Sequence, residues 1–221
     1  MWGTSRAVAD RCVIGYVHPG TVRAEFCASL LAVCMEGSTD VEAVLAVGSG
    51  PNISTARNIV ARSFLEKQTA PWLLMCDTDM TFPADMVDRL IAAADPVQRP
   101  VVGALCFTQN TDDPAKGPYS TMYELTEKDG DLAFVRYTKW PENTVVRVAA
   151  TGAACLLIHR TVLERVGKAS GDRAAPWFRE SVAGAALIGE DLTFCLRCAA
   201  AGIPVHVHTG ARAGHIKAQM I

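Results

Sequence analysis

The chain contains no apolar run approaching the roughly 18 to 20 residues that cross a bilayer. Residues 1–10 carry no apolar stretch of the signal-peptide kind, so the protein is expected in the cytoplasm with no membrane span. Charge of one sign is also missing: 21 Lys and Arg against 23 Asp and Glu leave a formal net charge of −2, and no dense basic run supplies a local cationic patch. Nucleic acid and anionic membrane are thereby excluded as partners on charge. No internal repeat is present. The eight cysteines are scattered, most of them in apolar segments such as Leu74-Met75-Cys76, and are expected to be free core thiols. Cys195 and Cys198 form a Cys-x-x-Cys, but His206 and His208 lack the spacing of a zinc module, and two turns of one helix explain the pair.

What is there is the composition of an ordinary globular protein, 50% apolar and 20% charged. At this length one domain suffices, with a core that removes roughly 70% of the unfolded surface from water. Apolar runs of strand length alternate with helical periods. Strands are expected at residues 12–17, 41–47, 72–76 and 101–107. Helices are expected at 22–35, at 55–66 with Ser54 as its cap, and at 83–94 with Pro83 in the first turn. From 108 to 143 the apolar period weakens, and two alternating stretches, 119–125 and 132–137, flank Lys128-Asp129-Gly130 and predict a hairpin excursion. A strand region at 145–158, broken at Thr151-Gly152, leads into a helix at 160–166. A loop at 168–188, expected to be partly mobile near the working face, precedes a helix at 190–201 that stops at Gly202, and then a last strand at 205–208. Strands alternating with helices predict a layered α/β/α fold with a mostly parallel, Rossmann-like central sheet, whose ligands gather at the carboxyl ends of the strands.

Asp77-Thr78-Asp79 falls at such an end. Two carboxylates one residue apart, just past a buried strand, offer the hard oxygen ligands that suit Mn²⁺ or Mg²⁺, and a diphosphate needs such a cation. Upstream, Arg57 has the donors to engage a diphosphate and Asn58 the amide to hold an adjoining loop; either residue can instead support the sheet from within. Downstream, Glu190 and Asp191 open a helix, where a carboxylate either serves the helix dipole or accepts the proton of an attacking hydroxyl. Trp177 and Phe178 can stack on a sugar or anchor their loop in the core.

Ser54-Thr55-Ala56-Arg57-Asn58, a helix, the strand Trp72-Leu73-Leu74-Met75-Cys76 and then Asp77-Thr78-Asp79 together resemble the donor-binding half of family 2 and related GT-A glycosyltransferases. Thr151-Gly152-Ala153-Ala154 resembles the small-residue turn bordering the acceptor site of these enzymes, Gly189-Glu190-Asp191-Leu192 their Glu-Asp motif, and Gly214-His215 their C-terminal histidine. The resemblance covers residues 12–216 and implies one GT-A-like domain over 1–221, with a nucleotide-sugar-binding half at about 12–107 and an acceptor and metal-completing half at about 108–221. It implies a metal-dependent transfer of one sugar from a nucleoside-diphosphate donor to a hydroxyl, inverting with Asp191 as the base. Asp79 would bind Mn²⁺ or Mg²⁺ directly, Asp77 would assist through the donor ribose or a metal-bound water, and His215 would be the third protein contact, its imidazole favouring Mn²⁺. Pro19, Gly20 and Thr21 would line the base and ribose, with Arg57, Asn58 and Thr78 beside the donor. Thr151, Gly152 and Ala153 would border the acceptor, roofed by Trp177 and Phe178.

The sequence departs from the family pattern at His18-Pro19-Gly20-Thr21 and at Gly48-Ser49-Gly50, where no aspartate stands ready for the base. UDP-sugars are the default donor, and GDP-sugars stay open. Asp77-Thr78-Asp79-Met80-Thr81 also resembles the first motif of haloacid-dehalogenase-type phosphatases, in which Asp77 would be a nucleophile and Asp79 its acid and base. Against that, two β-α units precede the motif. A third reading is a nucleotide-sugar or glycan-binding module without turnover.

Overall fold

In the computed structural model, residues 11–109, 117–128, 131–183 and 186–217 are described. The first half runs β1 (Arg11–His18), α1 (Ala24–Glu36), β2 (Asp40–Gly48), α2 (Ile53–Lys67), β3 (Trp72–Asp77), β4 (Met80–Thr81), α3 (Met86–Ala93) and β5 (Val101–Leu105). The excursion is β6 (Phe107–Thr108), β7 (Tyr119–Ser120), β8 (Met122–Lys128) and β9 (Asp131–Arg136). The chain then returns through β10 (Val145–Val148), β11 (Ala150–Thr151), β12 (Cys155–His159), α4 (Arg160–Ser170), β13 (Ser181–Ala183), β14 (Ala186–Ile188), α5 (Glu190–Ala200), β15 (Val205–Arg212) and β16 (Gly214–His215).

Seven strands form the central sheet in the order β10-β15-β5-β12-β3-β1-β2. Five of them point one way; β12 runs against both β3 and β5, and β10 runs against β15. Successive side chains of a strand point to opposite faces, and here both faces are covered. Leu73 and Met75 of β3 enter one core with Val60 and Phe64 of α2, Leu163 of α4 and Phe194 of α5. Trp72, Leu74 and Cys76 enter the other with Phe26 of α1 and Leu90 of α3. That two-sided burial is why β3 is apolar from Trp72 to Cys76 and why the molecule is layered α/β/α.

Several boundaries differ from the sequence reading. α2 is capped by Asn52, whose side chain accepts from the Thr55 amide at 3.0 Å, and Ser54 lies inside the helix. α3 starts at Met86, three residues later than expected, and residues 80–81 form β4, which pairs with β16 near residue 215. α4 continues to Ser170 and ends on Gly171 in the left-handed conformation, φ 65°, which glycine adopts without strain. The strand at 205–208 extends to Arg212. The excursion pairs as expected, Tyr123 opposite Arg136 and Leu125 opposite Phe134, while its turn at residues 129–130 lies outside the described residues.

Candidate active site

The carboxyl ends of β1, β2 and β3 meet at one sheet edge. Ser49, just past β2, donates its amide to the His18 carbonyl at 2.8 Å and so ties the ends of β1 and β2 together. Past His18 the chain turns at Gly20, φ 111°, whose amide donates to His18 Nδ1 at 3.1 Å; only glycine accepts that φ without strain. Pro19 and Thr21 thereby face Asp77, Thr78 and Asp79 across a cleft of about 460 Å³. That volume is within the ordinary range for a small-molecule site. Val17, Val22, Arg23, Ser49 and Ile53 complete its wall. Ser49 stands where the sequence departs from the family pattern; the other four were not singled out as cleft residues.

Asp79, in the wall of this cleft, meets His215. The β4–β16 pairing sets His215 opposite Met80, and the Ile216 amide donates to the Asp79 carbonyl at 2.8 Å. His215 Nδ1 lies 2.7 Å from the Phe107 carbonyl, an acceptor only, so Nδ1 carries a proton there. Nε2 is left facing Asp79 Oδ2 at 2.9 Å. Lys217 Nζ reaches the same oxygen, also at 2.9 Å. Burial pushes the Asp79 carboxyl up, but hydrogen bonds and charge from His215 and Lys217 outweigh it and hold the group well below the usual carboxylate range. The hydrogen bond to Asp79 in turn raises His215 against the opposing effect of burial.

A carboxylate oxygen beside an imidazole nitrogen whose partner nitrogen is fixed by a carbonyl is a chemically suitable pair for Mn²⁺, and less so for Mg²⁺, which prefers oxygen. Among the described residues no three metal-ligating side chains converge. Asp77 lines the same cleft, and its Oδ1 accepts from Arg57 at 2.7 Å.

Arg57 is almost wholly buried on α2, beneath the carboxylates and outside the open cleft. Its other terminal nitrogen donates to Glu190 at the start of α5. Burial alone would depress the guanidinium, but Asp77 and Glu190 keep it charged. This bridge joins the Asp77 strand end to the first turn of α5. Next to it, Asp191 accepts from the Leu192 amide at 2.8 Å and has no ion pair among the described residues. Burial raises the Asp191 carboxyl above its ordinary value, with nearby Arg57 opposing the shift and Asp77 adding to it. Glu190 is raised as well, again first by burial. Gly152 lies beside Asp191: a Cβ there would stand 3.5 Å from Asp191 Oδ2 and 3.5 Å from Thr121, ordinary contact distances. Thr151 and Ala153 are buried on either side.

No family model and no curated protein sequence matches the chain. Solved structures do. A197 from STIV superposes with a TM-score of 0.61 at 17% identity, over 94% of this chain and 86% of that one. GalNAc-T7, in a structure with UDP, GalNAc and Mn²⁺, superposes with a TM-score of 0.59 at 12% identity, over 93% of this chain and 44% of that one. The chain has a GT-A fold.

On the GT-A frame Asp77 belongs to the third strand of the sheet and is held by an arginine, so the phosphatase reading, which makes it a free nucleophile on a first strand, has no support in the architecture. Two residues assigned to the acceptor side require correction. Trp177 and Phe178 are core residues: the indole nitrogen of Trp177 donates to the Leu163 carbonyl at 2.7 Å, and Phe178 is fully buried, stacked on Phe194 with ring centres 4.8 Å apart. Neither ring has a face left for a sugar. Asn58 fixes them there, donating to the Phe178 carbonyl at 2.7 Å and accepting from the Trp177 amide at 3.2 Å, so it holds the loop while standing outside the cleft at the ends of β1, β2 and β3. His206 and His208 lie on β15 and take no part in the site. All eight cysteines are free, six of them buried.

Proposed function

We propose that this chain is a metal-dependent glycosyltransferase that moves one sugar from a nucleoside-diphosphate sugar, with UDP-sugars favoured, to a hydroxyl acceptor with inversion at the anomeric carbon. The observation that carries the proposal is the meeting of Asp79, in the wall of the cleft made by the ends of β1, β2 and β3, with His215. A cation bound by Asp79 and His215, Mn²⁺ in preference to Mg²⁺, would offset the charge of the leaving diphosphate.

The remaining work falls to the chain's own groups. Pro19, Gly20, Thr21 and Thr78 shape the base and ribose side of the cleft. Arg57 orients Asp77 on the donor side and Glu190 on the acceptor side, as a positioning residue buried beneath both. Asp191 is the base: as the acceptor oxygen forms its bond to the anomeric carbon, the hydroxyl proton passes to Asp191, and the bond from that carbon to the phosphate oxygen breaks with its electron pair leaving on the nucleoside diphosphate. A carboxylate whose proton affinity is raised by burial suits that role better than a solvated one. Gly152 lies beside Asp191 on the acceptor side, between the buried Thr151 and Ala153.

The test is calorimetry with a panel of UDP- and GDP-sugars in the presence of Mn²⁺, Mg²⁺ or EDTA, on the wild type and Asp79→Ala. Binding of one donor that needs the metal and disappears in Asp79→Ala is the expected result. Donor binding indifferent to both would remove Asp79 from the site, and retained anomeric configuration in the product, read by NMR, would remove Asp191 as base.

A further inference from the structure

Asp79 holds two side-chain nitrogens on one oxygen. His215 Nε2 and Lys217 Nζ both stand 2.9 Å from Oδ2. The histidine has a place in the reading above; the lysine has none. It is nevertheless specifically placed, because β16 pairs with β4 and the Ile216 amide is anchored on the Asp79 carbonyl at 2.8 Å, so the next residue emerges directly over the carboxylate. The Lys217 side chain is 42% exposed, against 34% for that of Asp79. A flexible stem in water can leave this contact without disturbing the fold, while the carboxylate beneath it is fixed to the sheet edge.

We propose that Lys217 is the resident counter-cation of Asp79: it holds Oδ2 when no divalent ion is present, competes with such an ion for that oxygen, and on release pairs with the diphosphate that arrives at the same carboxylate. The inference rests on the reading of Asp79 and His215 as the cation site. Its consequence is an ordered preference. Cation alone binds against Lys217, whereas cation with a nucleoside diphosphate gains an ammonium partner for the phosphate charge.

The two halves move in opposite directions in one variant. Mn²⁺ is titrated by calorimetry into the wild type, Lys217→Met, Lys217→Arg and Asp79→Ala without nucleotide; UDP and, separately, GDP are then titrated at saturating Mn²⁺. Lys217→Met is expected to bind Mn²⁺ about three- to fivefold more tightly, the size of a partly exposed ion pair, and to bind the diphosphate more weakly by a similar factor. Lys217→Arg should stay near the wild type in both. Mn²⁺ affinity unchanged or reduced in Lys217→Met, with wild-type binding lost in Asp79→Ala, overturns the role of Lys217 and leaves the cation site standing. Mn²⁺ binding equal in Asp79→Ala and wild type, or absent from both wild type and Lys217→Met, overturns the site and the lysine together. Tighter Mn²⁺ without weaker diphosphate binding overturns the phosphate-pairing half.

Discussion

His215 Nε2 stands 2.9 Å from Asp79 Oδ2, although 136 positions separate the two in sequence. The β4–β16 pairing closes that distance, and the Phe107 carbonyl sets which imidazole nitrogen faces the carboxylate. His215→Ala should therefore weaken Mn²⁺ binding by at least about tenfold while leaving the thermal transition within a few degrees of the wild type. Isothermal calorimetry and circular dichroism check the two halves. Equal Mn²⁺ affinity in the variant would take the imidazole out of the cation site.

The Asp77–Arg57–Glu190 bridge is almost wholly buried at its guanidinium. Removing that group leaves two carboxylates near one another with no cation, and breaking such a pair by one partner costs about 3 to 5 kcal/mol. Arg57→Met is expected to lose stability on that scale in urea denaturation. Arg57→Lys should recover little, because an ammonium lacks the planar fork that reaches both acids. A loss below about 1 kcal/mol for Arg57→Met would mean the acids are held by something else.

Much of this architecture was legible because the pattern is set locally. β3 is apolar from Trp72 to Cys76 since both faces are covered, and Asp77 marks its carboxyl end. Glu190 and Asp191 open α5 as their position before an apolar period suggests. What was not legible depends on long-range packing. β4 exists only through its pairing with β16, more than 130 residues on, which no local pattern announces. Trp177 and Phe178 went inward because α4 and α5 offered a carbonyl and a ring that no periodicity announces. Arg57 looked like a phosphate ligand, and only the placement of Glu190 beside Asp77 shows why it sits below them. Lys217 gave no signal beyond lying two residues after His215.

Asp88 on α3 accepts the Ser38 amide at 2.8 Å, the Thr39 amide at 2.7 Å and the Thr39 hydroxyl at 2.6 Å, so it pins the connection from α1 into β2. Burial opposes ionisation, but these three donors outweigh it and hold the carboxyl below its ordinary value. A folded-state value below the unfolded one gives stability that is present above the unfolded value near 3.9 and is lost as pH falls through the folded one. Asp88→Asn should cost about 1 to 2 kcal/mol at pH 7, and the gap to the wild type should narrow below about pH 4. Urea titrations at pH 7 and pH 3 measure it; a gap independent of pH would assign the loss to geometry and not to charge.

Asn58 makes a prediction about the loop that carries Trp177 and Phe178. Its amide satisfies one backbone carbonyl and accepts two backbone amides there, all buried. Asn58→Ala strands those groups and should destabilise the protein by about 2 to 4 kcal/mol, with hydrogen exchange rising first at residues 177–178. Asn58→Asp should not rescue it, because a carboxylate cannot donate to the Phe178 carbonyl. Exchange rising uniformly across the chain would show that the loop has no stability of its own to lose.

Asp191 has two roles available, and they predict stability changes of opposite sign. As an acid serving only the helix dipole it would stabilise α5, and Asp191→Asn would weaken the fold. As a desolvated base its folded-state value lies above the unfolded one, chiefly through burial. The stability linked to such a group is present at low pH and lost as pH rises through the folded value, so at neutral pH the ionised carboxylate is a net cost. Asp191→Asn should then raise the melting temperature by about 1 to 4 °C at pH 7 and show little gain at pH 3. The same substitution should lower kcat by about 10² to 10⁴ with donor binding retained, and the acid limb of the wild-type kcat/KM profile should fall at a pH above the ordinary aspartate range. A variant that is inactive and less stable at pH 7 would return Asp191 to the helix dipole; one that is inactive and more stable identifies a group held at a cost for what it does.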